Sequence, residues 1–444
     1  MRKIPYRHYV LALLTALYAF NLMDLSAMQM AMQSIKVALH LSDTELGFIG
    51  GLAFFLFYAA FGVPMGRWAD RGDRALILSL TRVLWSLFVL LTGRVTSFLQ
   101  LLLIRMGVAV GESGCLPPAY SLISDYFSRE ERPQALGLFF LSSPLAALFG
   151  TFSAGWLIEL YGWRTMFTLM ALPGVVLAPL AWFSLREPRR RRPRSDFDVF
   201  QGHTPQPIPA VDAPPPLLVV LRRLYSNSTY RNLLLALVVN FFYYSGILQW
   251  QAAFFIRSYG LTTGALGMWL AVVWGAAGMI GSATGGIIAS RWAPGNERLH
   301  LLACAALNCG NGVLMPLVFL TRNYVVAFAL LAVTTAAISL TNGPLYAAMQ
   351  SVVPSRLRAM SVVIAFFCAN LIGAGLGPLV VGVVSDHLRP IYGGNSLRYA
   401  LLVMSPWFFL VAWYMRRASK SVMPDIKMLT EYDESGVGCV AQAS

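Results

Sequence analysis

The chain has 444 residues, of which 57% are hydrophobic and only 12% charged, about half the charged share of a soluble domain. No water-soluble core hides that much apolar surface, whereas a helix of about 20 apolar residues crosses the roughly 30 Å hydrocarbon layer of a bilayer with its backbone groups bonded internally. The formal charge of +14, from 34 Lys and Arg against 20 Asp and Glu, would point to nucleic acid in a soluble chain. Here the basic residues fall in short connections between apolar runs, where they meet anionic lipid.

The first apolar run, 9–31, follows the basic start Met1 to Arg7. It is too long for a signal-peptide core and has no small-residue cleavage site behind it, so it reads as a retained span. Further runs of spanning length follow at 46–66, 75–96, 98–123, 134–157 and 164–185, then at 232–256, 265–289, 299–320, 324–350, 358–384 and 397–415. The expected fold is all-α and integral to the membrane, with twelve transmembrane helices in two six-helix halves. Residues 1–188 form the first half and 232–416 the second, separated by a linker at 189–231 and followed by a tail at 417–444. The linker carries the run Arg189 to Arg192 and prolines at 205, 207, 209 and 214–216, a composition that cannot bury a core.

An even number of spans puts both termini on one side. Lys36, Arg94, Arg164, Arg257, Arg322, Arg389 and Arg398 fall in odd-numbered connections, and Arg82 and Arg105 fall within spans. The remaining basic residues lie at the termini, in even-numbered connections and in the linker, which places those segments in the cytoplasm of a cell-membrane protein. The halves also echo one another. Gly66-Arg-Trp-Ala-Asp70-Arg71 is answered by Gly286-Ile-Ile-Ala-Ser290-Arg291, Arg132 by Arg358, and Gly155 to Glu159 by Gly382 to Asp386. Transporters built from repeats place their substrate site between them.

An ionisable group at bilayer depth is costly unless paired or wetted, so each one is a candidate for function. Asp24, Arg82, Arg105 and Glu112 are the clearest cases. Arg105 and Glu112 are two helical turns apart on one face, about 10 Å along the axis. Asp24 and Arg105 lie at similar depths on oppositely directed spans and are placed to meet. Glu112, deeper and flanked by Gly111 and Gly114, is placed to exchange protons. Arg82 is expected to snorkel to the interface or to brace Asp125. In span seven Asn240, Tyr243, Tyr244 and Gln251 form a polar and aromatic stripe suited to an amphiphile, although polar helix packing gives the same pattern. Asn21, Tyr120 and Asn370 complete the candidate cavity, with Asn308, Asn311 and Asn342 ambiguous.

The segment Gly66-Arg-Trp-Ala-Asp70-Arg71-Gly-Asp-Arg74 resembles the major facilitator signature G-x-x-x-D-R-x-x-R. The resemblance implies a cytoplasmic gate in which Gly66 permits close helix approach, with Asp70, Arg71 and Arg74 latching the halves. Arg105-Met-Gly-Val-Ala-Val-Gly111-Glu112-Ser-Gly114-Cys-Leu-Pro117-Pro118-Ala-Tyr120, with Leu41-Ser-Asp-Thr-Glu-Leu-Gly47 and Gly377-Pro-Leu-Val-Val-Gly382-Val-Val-Ser-Asp386, is similar to the Spinster family of facilitators. That similarity implies proton-linked carriage of amphiphilic molecules such as lysolipids. Where that family has Asn-x-x-Asp-Arg in span one, this chain has Asn21-Leu-Met-Asp24-Leu25, so the arginine is missing.

The expectation is a proton-coupled secondary transporter, monomeric, moving an amphiphilic or organic-anion substrate, with Asp24, Arg105 and Glu112 as the coupling group. A multidrug efflux facilitator is the nearest rival, and a transport-inactive receptor or scaffold a rival of another class. Gly111-Glu-Ser113-Gly114 lacks the spacing of a nucleophile elbow, the five histidines are scattered, and no Walker sequence occurs. The five cysteines include no CxxC pair. No enzyme activity, metal or cofactor is expected.

Overall fold

The computed structural model describes residues 6–128, 130–188, 217–292, 295–354 and 357–434. Residues 189–216, which hold most of the expected linker, and residues 435–444 of the tail, with Cys439, lie outside the described residues. Among the described residues all regular structure is helical. Ten stretches are long and apolar enough to cross a membrane: Tyr6–Leu39, Asp43–Arg71, Arg74–Thr92, Phe98–Tyr126, Gln134–Ser184, Ser228–Tyr259, Thr263–Gly285, Glu297–Leu320, Tyr324–Ser351 and Met360–Leu429.

Two of these stretches hold two of the predicted windows each. Gln134–Ser184 covers 134–157 and most of 164–185, and its helical geometry breaks at Gly162, where φ is 79°. Glycine adopts that conformation at little cost. Met360–Leu429 covers most of 358–384 and all of 397–415, and it is interrupted by the short turn Gly393–Asn395, with Gly393 at φ 54°. The closing helix, Trp407–Glu434, runs on past residue 416, where the tail was expected to begin. Four stretches carry a single widened π-type turn, at Ile49–Ala53, Ala146–Gly150, Val272–Ala277 and Ala369–Ala374.

Helix starts follow from local sequence. Ser42, Asp73, Ser97, Asn227, Thr262 and Asn323 each stand just before a helix and accept a hydrogen bond from a backbone N–H two or three residues on. Such caps satisfy donors that the first helical turn leaves unpaired.

By packing, the described residues divide into two compact units, one from Met1–Ala31 with Leu56–Pro216, the other from Met32–Phe55 with Leu217–Ser444. In the first unit Arg74–Thr92 packs against both Phe98–Ser113 and Thr151–Ser184. Glycine makes one of these approaches possible: a Cβ on Gly111 would stand 2.8 Å from the Trp85 backbone nitrogen, and one on Gly114 would stand 2.3 Å from the Thr81 methyl. In the second unit Ser228–Tyr259 packs on Gly375–Tyr392 and Trp407–Glu434, and Asp43–Phe48 packs on Gly375–Tyr392. The helix faces left outside both units are apolar, Val176 and Phe183 being 65% and 83% exposed. Water would not tolerate such faces on this scale, and the protein is a multi-pass membrane protein.

Candidate functional site

Within the first unit Asp24 and Arg105 face each other. Nη1 of Arg105 donates to Oδ2 of Asp24 at 2.6 Å, and the two residues are 2% and 1% exposed. The pair spans 81 residues of sequence, and their opposite chain directions and matched depth are what bring them level. Oδ1 of Asp24 has no hydrogen-bond partner in the protein. Asp24 is among the residues lining a cavity of about 180 Å³ walled also by Phe20, Met23, Trp85, Leu157 and Met170, roomy enough for several water molecules.

Glu112 lies beside this pair, with Asp24, Arg105, Trp85 and Arg82 as its neighbours. It is 5% exposed, and its Oε1 has no hydrogen-bond partner. A buried carboxylate oxygen without a donor is costly, and a proton on the carboxyl removes most of that cost. Asp24 therefore holds a charge partner, while one oxygen of its neighbour Glu112 has no hydrogen-bond partner. Asn21, also buried, borders a small space with Leu17, Thr81, Arg82 and Gly111. Tyr120 stands edge-on to the rings of Phe139 and Phe140 at 5.9 and 5.7 Å.

Arg82 neither snorkels nor braces Asp125. It is 3% exposed, donates to the carbonyl of Leu17, and lies 4.6 Å over the Trp85 ring. Its Nη1 has no hydrogen-bond partner, and Asp125 is held by another arginine. That arginine is Arg74 of the signature segment, wholly buried, with Nη2 on Asp125 at 2.5 Å, Nε on Glu187 at 3.0 Å and Nη1 on Ser121 at 2.7 Å. Its backbone N–H also donates to Glu187 at 2.8 Å. Asp70 and Arg71 are exposed. Gly66 departs from expectation: a Cβ there would meet nothing within 4 Å, so it makes no close helix approach among the described residues.

The polar stripe of Ser228–Tyr259 is split in the second unit. Tyr243 is fully buried, donates to Asn240 at 2.5 Å and meets the Phe408 ring at a tilt of 41° with centroids 4.0 Å apart, whereas Tyr244 is exposed. Helix packing therefore occupies Asn240 and Tyr243. Gln251 accepts from Trp274 at 3.0 Å, and with Tyr244 it borders a cavity of about 10 Å³, room for one water at most. Asn370 is half-buried in the widened turn Ala369–Ala374 and donates to Phe366 of its own helix at 2.9 Å.

The second unit also contains a charge cluster that single-sequence reading left as scattered loop residues. Asp43 is 1% exposed and receives Lys36, Nη1 and Nη2 of Arg257 at 2.9 and 2.8 Å, and Ser385 at 2.6 Å. Asp386 in turn caps the Asp43–Phe48 helix, accepting from the backbone of Asp43 and Thr44 at 3.1 and 2.7 Å. The partners lie up to 343 residues apart, and the sequence offered Asp43, Ser385 and Asp386 only inside two separate motif segments, with nothing to say that they meet Lys36 and Arg257. Asp43→Asn leaves two cations facing one another. Both retain some water contact, so the expected loss is about 1–3 kcal/mol, read as a lower melting temperature in detergent. An unchanged melt would mean the cluster adds no stability.

Residues 14–378 match the sequence model of the Major Facilitator Superfamily. Among curated proteins, the chain is 30% identical over 401 residues to an MFS-type efflux pump of Mycolicibacterium smegmatis (strain ATCC 700084 / mc(2)155), covering 89% of this chain and 87% of that one. It is 26% identical over 394 residues to the probable L-galactonate transporter of Escherichia coli (strain K12), covering 86% and 83%. Among solved structures, a bacterial homologue of the human lysosomal transporter Spinster, crystallised in an inward-facing and unoccupied conformation, superposes with a TM-score of 0.80 at 26% identity, covering 95% of this chain and 99% of that one. The all-helical architecture, the signature segment around Asp70 and a family match over most of the length agree: this chain is a transporter-like member of the Major Facilitator Superfamily with Spinster-like features, and not an enzyme.

Proposed function

We propose that the protein is a proton-coupled secondary transporter that moves an amphiphilic or organic-anion substrate across the cell membrane by alternating access. The observation that carries this reading is the buried triad: Asp24 paired with Arg105, and Glu112 beside them with an unpartnered oxygen. Placing three charged groups in one apolar unit is costly, and proton-linked transport is the use that offsets the cost. Asp24, Arg105 and Glu112 form the coupling group, and the 180 Å³ cavity gives protons a wet approach to it. Arg82, a buried cation whose Nη1 lacks a partner, favours a substrate with an anionic group. Asn21, Tyr120, Tyr244, Gln251 and Asn370 are the remaining candidates for contact, and Asp70, Arg71 and Arg74 for the cytoplasmic gate.

The reading includes twelve spans in two six-helix halves with cytoplasmic termini. Three observations support it. The breaks at Gly162 and Gly393 fall where the two longest apolar stretches would turn. The widened turns beginning at Ile49 and Ala146 recur at Val272 and Ala369, 223 residues later in each case, close to the spacing of the repeated motifs. One contact recurs as well: Nε of Arg132 donates to the carbonyl of Phe127 at 3.2 Å, and Nε of Arg358 to that of Val353 at 3.3 Å. A reporter fused after Ser444 is expected inside the cell, and reporters near Arg257 or His387 outside it. The opposite pattern rejects this topology.

The efflux-pump relative supports a second reading, export of drugs through the same fold. Proteoliposomes separate the possibilities. A carrier shows substrate-dependent proton movement, which a scaffold does not. Competition by lysolipids or organic anions, against none by unrelated cationic drugs, selects the first reading over the second.

A further inference from the structure

The helix Leu217–Ser226 leads into the membrane-length helix Ser228–Tyr259, separated from it by the cap residue Asn227. Ten residues span about 15 Å, half a bilayer core, so this helix does not cross the membrane. At 100° per residue Val220, Leu224, Leu221, Tyr225 and Leu218 fall within an arc of roughly 160°, while Val219, 53% exposed, lies outside it between Arg222 and Arg223. The arc has two edges with different fates. Val220 and Leu224 are 2% and 4% exposed, packed into the second unit, while Leu218, Leu221 and Tyr225 are 81%, 40% and 64% exposed. Arg222 adjoins Leu218 on the polar side, Arg223 lies further round, both are exposed, and the helix contains no acidic residue.

We propose that the open edge of this helix lies in the membrane interface and binds acidic phospholipid, with Leu218, Leu221 and Tyr225 in the acyl boundary and the arginines on headgroup phosphates. Continuity fixes its level. The helix that follows is of membrane-spanning length, its first turn is tied to the closing helix by the backbone N–H of Thr229, which donates to Asp425 at 3.2 Å, and Arg231 reaches back to the carbonyl of Tyr225 at 3.2 Å. A helix held at that level with a half-covered apolar arc meets lipid on its open edge. The adjoining arginines set the sign of the headgroup, each contributing attraction to an anionic surface that falls off within a Debye length.

The test uses the full chain with Cys309→Ser, Cys368→Ser and Cys439→Ser, the buried Cys115 and Cys304 being kept. A nitroxide is attached in turn through Leu218→Cys, Leu221→Cys, Arg222→Cys and Tyr225→Cys, in vesicles of phosphatidylcholine with or without phosphatidylglycerol. At 218, 221 and 225, collisions with oxygen should exceed those with a water-soluble nickel chelate several-fold, with the reverse at 222. The contrast at 218 should grow when phosphatidylglycerol is present, and Arg222→Gln with Arg223→Gln should remove that growth. Nickel-dominated collisions at all four positions would make this a water-exposed helix. Protection from both reagents at all four would mean that another part of the protein covers it. Equal contrast in neutral and acidic vesicles would remove the headgroup charge. Each of these outcomes overturns the proposal.

Discussion

Asp24→Asn is expected to lose transport and about 3–5 kcal/mol of stability together, the cost of leaving one partner of a buried pair uncompensated. Asparagine fills nearly the same space as aspartate, so packing around Phe20 and Met23 stays intact and the change isolates the charge. Arg105, only 1% exposed, then loses the carboxylate that it holds at 2.6 Å. Arg105→Gln alone should be damaging for the converse reason. Because the two side chains touch, the double variant should lose less than the two single losses added, by about 1–3 kcal/mol in the melting cycle. Additive losses would mean that the contact at 2.6 Å contributes nothing to the folded protein.

The second large effect is expected at Arg74. Its guanidinium is wholly buried and holds Glu187, Asp125 and Ser121 at once. Arg74→Gln removes the guanidinium bound to Glu187, which is 7% exposed, and should again cost about 3–5 kcal/mol, with partial rescue by Glu187→Gln. Arg71→Gln, three residues away and exposed, should stay within about 0.5 kcal/mol. Within one signature segment, then, one arginine is buried in an ion-pair network and its neighbour is exposed. Equal melting of the two variants would contradict that division.

Which parts of this were legible in the sequence has a physical pattern. Membrane helices announce themselves because each must be apolar over its whole length, so apolar stretches of spanning length were readable, ten of them standing in the structure, and buried charges within them stood out against leucine and valine. The meeting of Asp24 with Arg105 followed from depth alone. Arg74 was singled out by its motif, but its partners were not, since Glu187 looked like the edge of a linker and Asp125 like a partner for Arg82. Lys36, Asp43 and Arg257 were hidden for a similar reason: charges at helix ends are ordinary, and only the fold brings them together. The stripe of Ser228–Tyr259 failed differently. Helical spacing places Asn240 and Tyr243 on one face without saying whether that face meets a cavity or, as it does, the ring of Phe408.

Proton coupling at Glu112 is tested most directly by Glu112→Gln, which keeps the shape and hydrogen-bonding groups of the side chain but cannot gain or lose a proton. In proteoliposomes loaded with a transported substrate, exchange of labelled for unlabelled substrate should persist, while acceleration by an imposed pH gradient should disappear. A variant that responds to the pH gradient as the unaltered protein does would contradict this assignment and remove Glu112 from the proton path.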